Sequence, residues 1–362
     1  MLLLVAFWRR QNSKGQYMKR NKVSSLDVAR LAGVSQSAVS RVFSKDDRSS
    51  AVSSNMRKRV MEAADQLGYR PNALARAVFV GKSKIVAVLF SYLDNPFYAD
   101  ALERICLELQ ASGYHALVFM MPETTQGIDQ VMEEILQYQV DGMITASVEL
   151  SSAICARCYD SGIPVVMFVR TQDDRRLSAV TADNVAGARS VAQYLARCGH
   201  KRIAMIAGWE GASTNRDREL GFTAGLSEAG LSIHSRAVGH FHPQRAAAAA
   251  RELFTVASDN RPDAVFVAND YMAVAVMDEL RFKLGLRVPD DVSVVGYDDI
   301  EIAGFPTYNL TTVSQPLPAM VAATVTMLIA KIESRNVEPE HLLIGGQLVV
   351  RGSTKAQSVS TK

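Results

Sequence analysis

The chain has 362 residues, 48% of them hydrophobic, and a formal net charge of +3. This length suggests two or three domains, and the composition is rich enough to form large buried cores. No apolar run reaches the roughly 18 residues that a membrane span needs, so no membrane partner is expected. The apolar start is short and runs into Arg9 and Arg10, which argues against a signal peptide. Residues 1–17 are therefore predicted to be an unstructured leader, with a start codon placed too early as the alternative.

Charge is spread unevenly along the chain. Residues 18–84 carry 14 Lys and Arg against 5 Asp and Glu, whereas residues 85–362 carry 23 against 32. A basic head on an acidic body is typical of a polyanion-binding module joined to a domain with another task. Of the four cysteines, only Cys155 and Cys158 are close, and no second pair completes a metal site. A reduced, cytoplasmic protein without metal or cofactor is expected.

The stretch 25–43 has the pattern of two short helices joined by a tight turn. Gly33 stands where a left-handed backbone is needed, and Ser35 can cap the second helix. Polar residues remain on the outside of that helix, where a recognition helix presents side chains to base edges in the major groove. An ordinary helical hairpin is the alternative. The residues expected to face inward are Leu26, Val28, Ala29, Leu31, Val39, Val42 and Phe43.

A third helix is predicted from Val52 to Leu67, amphipathic and rich in basic residues. It ends at Gly68, and it would close a three-helix core over Leu26, Val39 and Val60. Its N-terminal amides, together with Arg57, Lys58 and Arg59, are suited to bind phosphate. These elements define a DNA-binding headpiece at 18–71, followed by a hinge helix and linker at 72–84.

From Ile85 onward, continuously apolar strands alternate with helices, which predicts parallel, doubly wound sheets. A second series of the same kind begins at residue 183, so the core at 85–362 should form two similar subdomains. The N-subdomain is placed at about 85–182 and 315–342, and the C-subdomain at about 183–314 and 343–354. The predicted strands lie at 85–90, 115–120, 142–146, 164–168, 202–207, 264–268, 292–296 and 347–351.

Eleven ordered landmarks then allow a comparison with a known family. They are Asp27–Ser35, Val39–Val42, Leu67–Arg76, Asn95–Tyr98, Asp183–Gly187, Gly199–Ala204, Arg218–Phe222, Ala268–Asp270, Gly296–Asp299, Leu310–Val313 and Arg351–Thr354. From about Val23 to Thr354, the chain resembles the LacI/GalR family of bacterial transcriptional regulators. The resemblance implies a small all-α helix-turn-helix headpiece plus an α/β core of two doubly wound parallel-sheet subdomains, like a periplasmic binding protein.

The resemblance also implies a function. It predicts a sequence-specific, non-enzymatic DNA-binding regulator, a repressor in the first instance, located in the cytoplasm with the nucleoid. A small sugar or sugar-acid effector between the subdomains would control affinity for a near-palindromic operator through ordering of the hinge helices, and effector and DNA would alter each other's affinity by the same factor. A homodimer is favoured over a tetramer, because no heptad repeat follows Thr354.

Site residues follow from the landmarks. The residues expected to bind DNA are Gln36, Ser37, Arg41, Ser53, Asn55, Arg57, Lys58, Tyr69, Asn72, Leu74, Ala75, Arg76 and Val78. Those expected to bind the effector, mostly at the C-terminal ends of strands where such sheets bind ligands, are Ser91, Asn95, Phe97, Arg170, Arg218, Phe241, Asn269 and Asp298. Arg170 and Arg218 would also suit an acidic ligand.

Two residues depart from the family pattern. Val78 replaces a leucine that members commonly insert into the minor groove, and Asn309 replaces a proline. The alternative for individual pocket residues is structural: Asn95, Asn269 and Asp298 would cap helices, and Phe241 would fill core.

Two rival functions remain at this stage, an enzyme or an exported sugar-binding protein on the same scaffold without operator binding. The chain lacks a dinucleotide-binding glycine motif, a phosphate-binding Gly-Lys-Ser/Thr loop and a nucleophile elbow. His240 and His242 lack a third metal-ligand partner. A sugar-binding protein of this kind would need an export signal and would have no basic helical headpiece.

Overall fold

The computed structural model describes residues 23–43, 52–70, 82–121, 128–146, 157–158, 160–172, 176–334 and 337–356, with backbone alone at 128–130. The chain divides into two compact units, Met1–Gly81 and Lys82–Lys362. Among the helices in these ranges, none is long and apolar enough to cross a membrane.

The described residues of the first unit form three helices, each with a side-chain cap. Ser24 forms a capping box with Asp27, Ser35 accepts a hydrogen bond from the amide of Ala38, and Ser53 accepts one from the amide of Met56. These caps satisfy amides that the first turn of a helix leaves without partners. The helices are α1 Ser25–Ala32, α2 Gln36–Val42 and α3 Ser54–Leu67.

Glycines end α1 and α3, as predicted. Gly33 has φ 62° and Gly68 has φ 65°, a left-handed conformation that costs glycine little because it has no Cβ. The turn at Gly33 lets α2 cross α1, which gives the helix-turn-helix its shape.

The headpiece core is built from small residues, and here one prediction is wrong. Leu26 and Leu31 are 44% and 50% exposed. Positions 28, 29 and 32 share one face of a 3.6-residue repeat, whereas 26 and 31 lie on either side of that face, each about 110° from its centre. The buried residues of this core are Val28, Ala29, Ala32, Val39, Val42, Val60, Ala63 and Ala64.

The second unit contains two parallel sheets. The larger has six strands in the order β11-β5-β4-β3-β1-β2, and the smaller has four in the order β7-β6-β8-β9. The strands are β1 Ile85–Phe90, β2 His115–Met120, β3 Gly142–Ala146, β4 Val165–Phe168, β5 Ser178–Ala182, β6 Ile203–Ala207, β7 Ser235–Val238, β8 Ala264–Val267, β9 Ser293–Val295, β10 Thr312–Ser314, β11 His341–Ile344 and β12 Gln347–Val349.

Among the described elements, helices connect most successive strands of the two sheets, although β5 follows β4 without one, and the predicted pair of doubly wound subdomains is confirmed. The helices are α4 Pro96–Ala111, α5 Ile128–Gln137, α6 Asn184–Arg197, α7 Ser213–Glu228, α8 Pro243–Phe254, α9 Asp270–Asp278 and α10 Leu317–Glu333. A π-helical turn at Glu279–Lys283 directly follows α9. Strands β10 and β12 form a short antiparallel pair beside the smaller sheet.

The chain passes between the subdomains three times, after β5, β10 and β11. Strand β11 pairs with β5 in the larger sheet, with Ile344 opposite Ala182. That sheet therefore extends to Ile344, and the predicted boundary between 342 and 343 cuts through a strand. The amide of Asp183 donates to the carbonyl of Ile344 at 2.9 Å, so two of the crossings are bonded directly to each other.

Candidate DNA-binding surface and effector pocket

The outer face of α2 presents the three polar residues predicted to read DNA. Gln36, Ser37 and Arg41 are all exposed. The amide group of Gln36 donates to the hydroxyl of Ser25 at 2.9 Å, and Nε of Arg41 donates to the carbonyl of Ser37 at 3.3 Å. These bonds orient the polar side chains on the solvent side of the helix, with Ser37 and Arg41 opposite the buried Val39.

The basic and polar side chains of α3 include some that are simply exposed to solvent and some that also bond to the backbone of another helix. Lys58 and Asn55 are exposed, as a phosphate contact requires. Arg59 instead donates to the carbonyls of Ala32 and Gly33, so its guanidinium closes the end of α1. The sequence grouped Arg59 with the phosphate-binding side chains; the structure gives it a structural role as well, because its Nη2 donates to carbonyls at the C-terminal end of α1.

Two other predicted DNA contacts also carry structural bonds. Arg57 donates to the carbonyl of Val42 at 3.4 Å. The ring of Tyr69 packs edge-on against Phe43 with 5.8 Å between centroids. The predicted hinge residues Asn72, Leu74, Ala75, Arg76 and Val78 lie outside the described residues.

In the core unit, one pocket brings together six of the eight predicted effector residues. The free volume inside it is only about 10 Å³, roughly enough for one water molecule. It lies at the C-terminal ends of strands in both sheets, where ligands bind in such folds. Its lining residues are Tyr92, Asn95, Phe97, Tyr98, Val169, Thr214, Arg218, Phe241, Asn269, Asp298 and Gln315.

Arg218, on α7, is held by buried partners on several sides. Its Nε donates to Oδ1 of Asn184 at 2.9 Å, Nη1 donates to the carbonyl of Ala268, and Nη2 donates to Oδ1 of Asp298 at 3.4 Å. The guanidinium also lies 3.7 Å from the centroid of the Tyr297 ring. This buried cation is thus satisfied by the protein itself.

Asp298 follows β9 and is the anionic partner of Arg218. Its Oδ1 accepts a hydrogen bond from Nε2 of Gln315 at 2.7 Å. Burial raises the pKa of its carboxyl group to about 6, although Arg218 and hydrogen bonds from Gln315 and Asn95 act in the other direction. The backbone at Asp298 has φ 120°, so Asp298 is not a helix cap but a strained residue aimed into the pocket.

Asn95 and Asn269 cap helices and line the pocket at the same time. Oδ1 of Asn95 accepts from the amide of Phe97 at 3.1 Å, and Oδ1 of Asn269 accepts from the amide of Met272 at 3.0 Å. The amide nitrogen of each side chain can donate to a further acceptor. The side chain of Asn95 acts on Asp298, whose pKa it lowers. The structural interpretation of these residues and the functional one are therefore compatible.

The two remaining candidates lie outside the lining. Ser91 is half-buried beyond the end of β1. Arg170 lies at the pocket's edge, where its Nη2 donates to the Tyr92 hydroxyl at 3.3 Å and its guanidinium lies 5.9 Å from the Phe241 ring centroid. The Phe241 ring in turn covers Gly208, where a Cβ would stand 2.1 Å from its Cζ.

Hydrogen bonds cross the cleft between the subdomains. The amide of Thr171, after β4, donates to the hydroxyl of Ser213 at the start of α7, at 2.9 Å. Asn95 also acts across the cleft, because its side chain lowers the pKa of the Asp298 carboxyl group. The cleft is thus closed, which explains the small volume of the pocket.

Sequence reasoning missed five lining residues: Tyr92, Tyr98, Val169, Thr214 and Gln315. Four lie within a few residues of a predicted site residue, so proximity could have identified them. Gln315 is the exception, since no predicted residue is near it along the chain. The available signal was a polar side chain directly after an apolar strand and before Pro316, at a crossing between subdomains.

A second buried carboxyl group lies behind the pocket. Asp270 accepts hydrogen bonds from the Thr312 hydroxyl at 2.6 Å and from the amide of Ile300 at 3.1 Å. Burial, followed by the charge of Asp298, raises the pKa of Asp270 to about 7. Both carboxyl groups therefore keep a proton at pH values where the unfolded chain has lost it.

This difference predicts the direction of a pH effect on stability. Between about pH 4 and pH 7 the folded chain binds more protons than the unfolded chain, so the free energy of unfolding should fall as pH rises across that window. Urea denaturation at half-unit steps measures it. In Asp270→Asn the fall should be smaller. An unfolding free energy that rose equally in both proteins from pH 5 to 7 would contradict this prediction.

The comparisons with known proteins agree with both halves of this structure. Residues 26–72 match the family of bacterial regulatory proteins, lacI family, and residues 192–354 match the periplasmic binding protein-like domain. The chain is 34% identical to the ribose operon repressor of Escherichia coli (strain K12) over 335 residues, covering 90% of this chain and 98% of that protein. It is 33% identical to the transcriptional regulator CelR of Thermobifida fusca over 350 residues, covering 93% and 100%.

Solved structures give the same result. A lac repressor dimer bound to operator and the anti-inducer ONPF superposes with a TM-score of 0.83 at 26% identity, covering 92% of this chain and 99% of that one. A complex of the regulator CelR with cellobiose gives 0.69 at 30% identity, covering 91% and 99%. A helix-turn-helix joined to a periplasmic-binding-protein-like core defines a DNA-binding transcriptional regulator, not an enzyme. The chain belongs to the LacI family of bacterial regulatory proteins.

Proposed function

We propose that this protein is a homodimeric repressor whose operator affinity is set by a small sugar or sugar-acid effector bound between the core subdomains. The observation that carries the proposal is the set of bonds between the pocket and the crossings of the chain. Arg218 donates to Asn184, which lies directly after the first crossing, and Asp298 accepts from Gln315 in the second. Both members of the pocket's ion pair are therefore bonded to segments that link the subdomains.

This arrangement couples ligand binding to subdomain geometry. An effector hydroxyl that donates to Asp298 competes with Gln315 for the same carboxylate, and one that accepts from Arg218 competes with Asn184. Each exchange changes the bonds at a crossing, so effector binding favours one relative position of the subdomains over another. By linkage, operator binding must alter effector affinity by the same factor.

The named relatives support the two ligands. One solved LacI-family relative is a complex with cellobiose, and another is bound to operator. For this chain, we assign base recognition to Gln36, Ser37 and Arg41, and phosphate contacts to Ser53, Asn55, Arg57, Lys58 and Tyr69. The hinge residues Asn72, Leu74, Ala75, Arg76 and Val78 complete the proposed interface. A protein that binds operator DNA works in the cytoplasm, with the nucleoid.

Exposed apolar residues support the proposed dimer. Strand β2 is an edge of the larger sheet, and Met120 on it is half exposed, as is Leu107 on α4. In the smaller subdomain, Phe282 and Phe305 are exposed on segments that Arg281 joins by donating to the carbonyl of Thr307. Apolar side chains of this size on both subdomains are typical of a surface covered by a second copy.

DNA binding is tested by two alanine substitutions that should fail in different ways. Arg41→Ala is expected to lose discrimination between the operator and single-base variants, because Arg41 is placed on the base-facing side of α2. Lys58→Ala is expected to weaken binding evenly and to reduce the slope of log affinity against log salt by about one, the value of one lost phosphate contact.

The measurement is a fluorescence titration of the full chain with an operator selected from a random library, and with its single-base variants, at four salt concentrations. Glu252→Ala, an exposed substitution on α8 of the core, serves as the control and should match the parent. Identical sequence profiles for Arg41→Ala and Lys58→Ala would refute the division of roles. Failure of the parent chain to select any operator would refute the proposed function.

A further inference from the structure

Arg170 is a buried cation that the protein leaves incompletely satisfied. Its side chain follows β4 and is 8% exposed. Its Nη2 donates to the Tyr92 hydroxyl at 3.3 Å, and its Nε has no hydrogen-bond partner. The guanidinium lies 5.7 Å from the Trp209 ring centroid and 5.9 Å from that of Phe241. It is therefore held by aromatic rings and a phenol, all of them uncharged.

Arg218, in the same pocket, has hydrogen-bond acceptors for all three of its guanidinium nitrogens and serves as the comparison. It has a carboxylate, an amide oxygen and a carbonyl as acceptors. By contrast, no carboxylate in the described part of the chain forms an ion pair with Arg170. A buried charge is costly unless an opposite charge and hydrogen bonds compensate it, so an unpaired buried guanidinium marks a place where an anion is missing.

The charge of the pocket leads to the same conclusion. Two of the residues that line the pocket carry a charge, the carboxylate Asp298 and the guanidinium Arg218. They face each other, so their charges cancel. Arg170 at the edge then leaves the pocket with one positive charge in excess. A neutral sugar would exclude water from Arg170 and return no charge, whereas an anion would form a charge-assisted bond in a site of low dielectric constant.

The backbone fixes Arg170 in this position. Val169 has φ 73°, a left-handed conformation that is unusual for a β-branched residue. Its amide donates to the carbonyl of Val180 at 2.9 Å, which anchors the turn to the neighbouring strand β5. Strained residues of this kind persist where the surrounding structure holds them, and here the turn directs Arg170 across the cleft toward Trp209 and Phe241.

We propose that the effector is a sugar acid whose carboxylate binds the guanidinium of Arg170 between Trp209 and Phe241. Its hydroxyl groups bind at the Asp298 side of the pocket. This inference rests on the proposed function, since it assigns a ligand class to the same site. Nε and a terminal nitrogen of arginine match the two oxygens of a carboxylate, and one excess positive charge matches one negative charge. A phosphorylated sugar carries up to twice that charge and fits the balance less well.

The test compares sugars with acids of the same carbon skeleton. Full-length protein is titrated calorimetrically with D-gluconate and D-glucose, with D-galacturonate and D-galactose, and with D-glucose 6-phosphate. We expect an acid to bind and its neutral partner to bind at least tenfold more weakly. Arg170→Gln should remove that preference, since a charged hydrogen bond in a buried site is worth roughly ten- to a hundredfold in affinity, and Arg170→Lys should keep part of it.

The control is Arg189→Gln, which removes an exposed arginine paired with Glu228 on the α6–α7 surface and should leave the preference intact. Circular dichroism of each variant checks folding. Equal or stronger binding of the neutral partners would overturn the assignment, as would an unchanged preference in Arg170→Gln or a preference for the phosphate ester. Binding of none of these acids would overturn it as well. Operator binding is measured separately, so its absence would overturn the proposed function and not the ligand class.

Discussion

Replacing Asp298 by asparagine is expected to reduce effector affinity by about ten- to a hundredfold, the value of one buried charged hydrogen bond. Operator affinity without effector should stay within twofold of the parent protein. The residue is buried in the pocket and faces Arg218. Asparagine keeps the size of the side chain and an oxygen that can still accept from Gln315 and Arg218, so the local hydrogen bonds should be retained although the negative charge is lost.

The neighbouring acid provides a matched control. Asp299 pairs with Nη2 of Arg351 at 2.7 Å and does not line the pocket. Asp299→Asn changes the same functional group one residue away and should leave effector affinity unchanged. Calorimetry with the tightest ligand of the sugar and sugar-acid panel measures both. Unchanged affinity in Asp298→Asn, or an equal loss in Asp299→Asn, would show that the pocket is assigned to the wrong residues.

Gly221→Ala is expected to destabilise the core by about 1–3 kcal/mol or more, as overpacked substitutions do. A Cβ at Gly221 would stand 2.1 Å from the carbonyl oxygen of Val185 and 2.9 Å from its Cα. Since these are backbone atoms of α6, no side-chain rotation can relieve the contact, and α6 and α7 must separate. The roughly 1 kcal/mol that alanine gains in helix propensity over glycine does not offset this cost. Arg218 lies one turn earlier on α7, so its bonds to Asp298 and Asn184 should weaken too.

Gly304→Ala is the control for the same chemical change. Gly304 is exposed, and nothing lies within 4 Å of a Cβ placed there, so its stability should stay within about 0.5 kcal/mol of the parent. Urea denaturation followed by circular dichroism compares the two variants. If Gly221→Ala were as stable as Gly304→Ala, the close approach of α6 and α7 would be incorrect.

The fold was largely predictable because the interior strands are continuously apolar. Strands β1 and β2 begin and end where the pattern predicted, and β3, with all five residues buried, does as well. The strands that sequence reasoning missed are short or rich in polar and small residues. Strand β5 reads Ser-Ala-Val-Thr-Ala and β7 reads Ser-Arg-Ala-Val. Their pairing with neighbouring strands, and not their own composition, determines their conformation.

Helix faces were harder to assign in the short helices. The eight residues of α1 span only about two turns, so periodicity alone does not decide whether its leucines face the core or the solvent. Small residues at positions 29 and 32 form the contact with α3 instead, because the helices approach closely. Only the packing of three helices together decides which face is buried.

Pocket residues were predictable from the sequence where they directly follow a predicted strand or belong to a family landmark. Six of eight residues meet in the pocket, although their binding role stays a proposal. Gln315 was not predictable in this way, because its position depends on how the chain returns between the subdomains. The excess charge of Arg170 was also beyond sequence reasoning. Whether an arginine has a carboxylate partner is decided by residues distant along the chain.

Reciprocal linkage between operator and effector shows directly whether the core pocket controls DNA binding. Operator affinity is measured with and without a saturating concentration of the tightest panel ligand, and ligand affinity is measured with and without operator. We expect both affinities to change by one common factor, in the range of about 5- to 150-fold that is typical of allosteric coupling. Ligand binding in the core with no change in operator affinity would contradict this expectation.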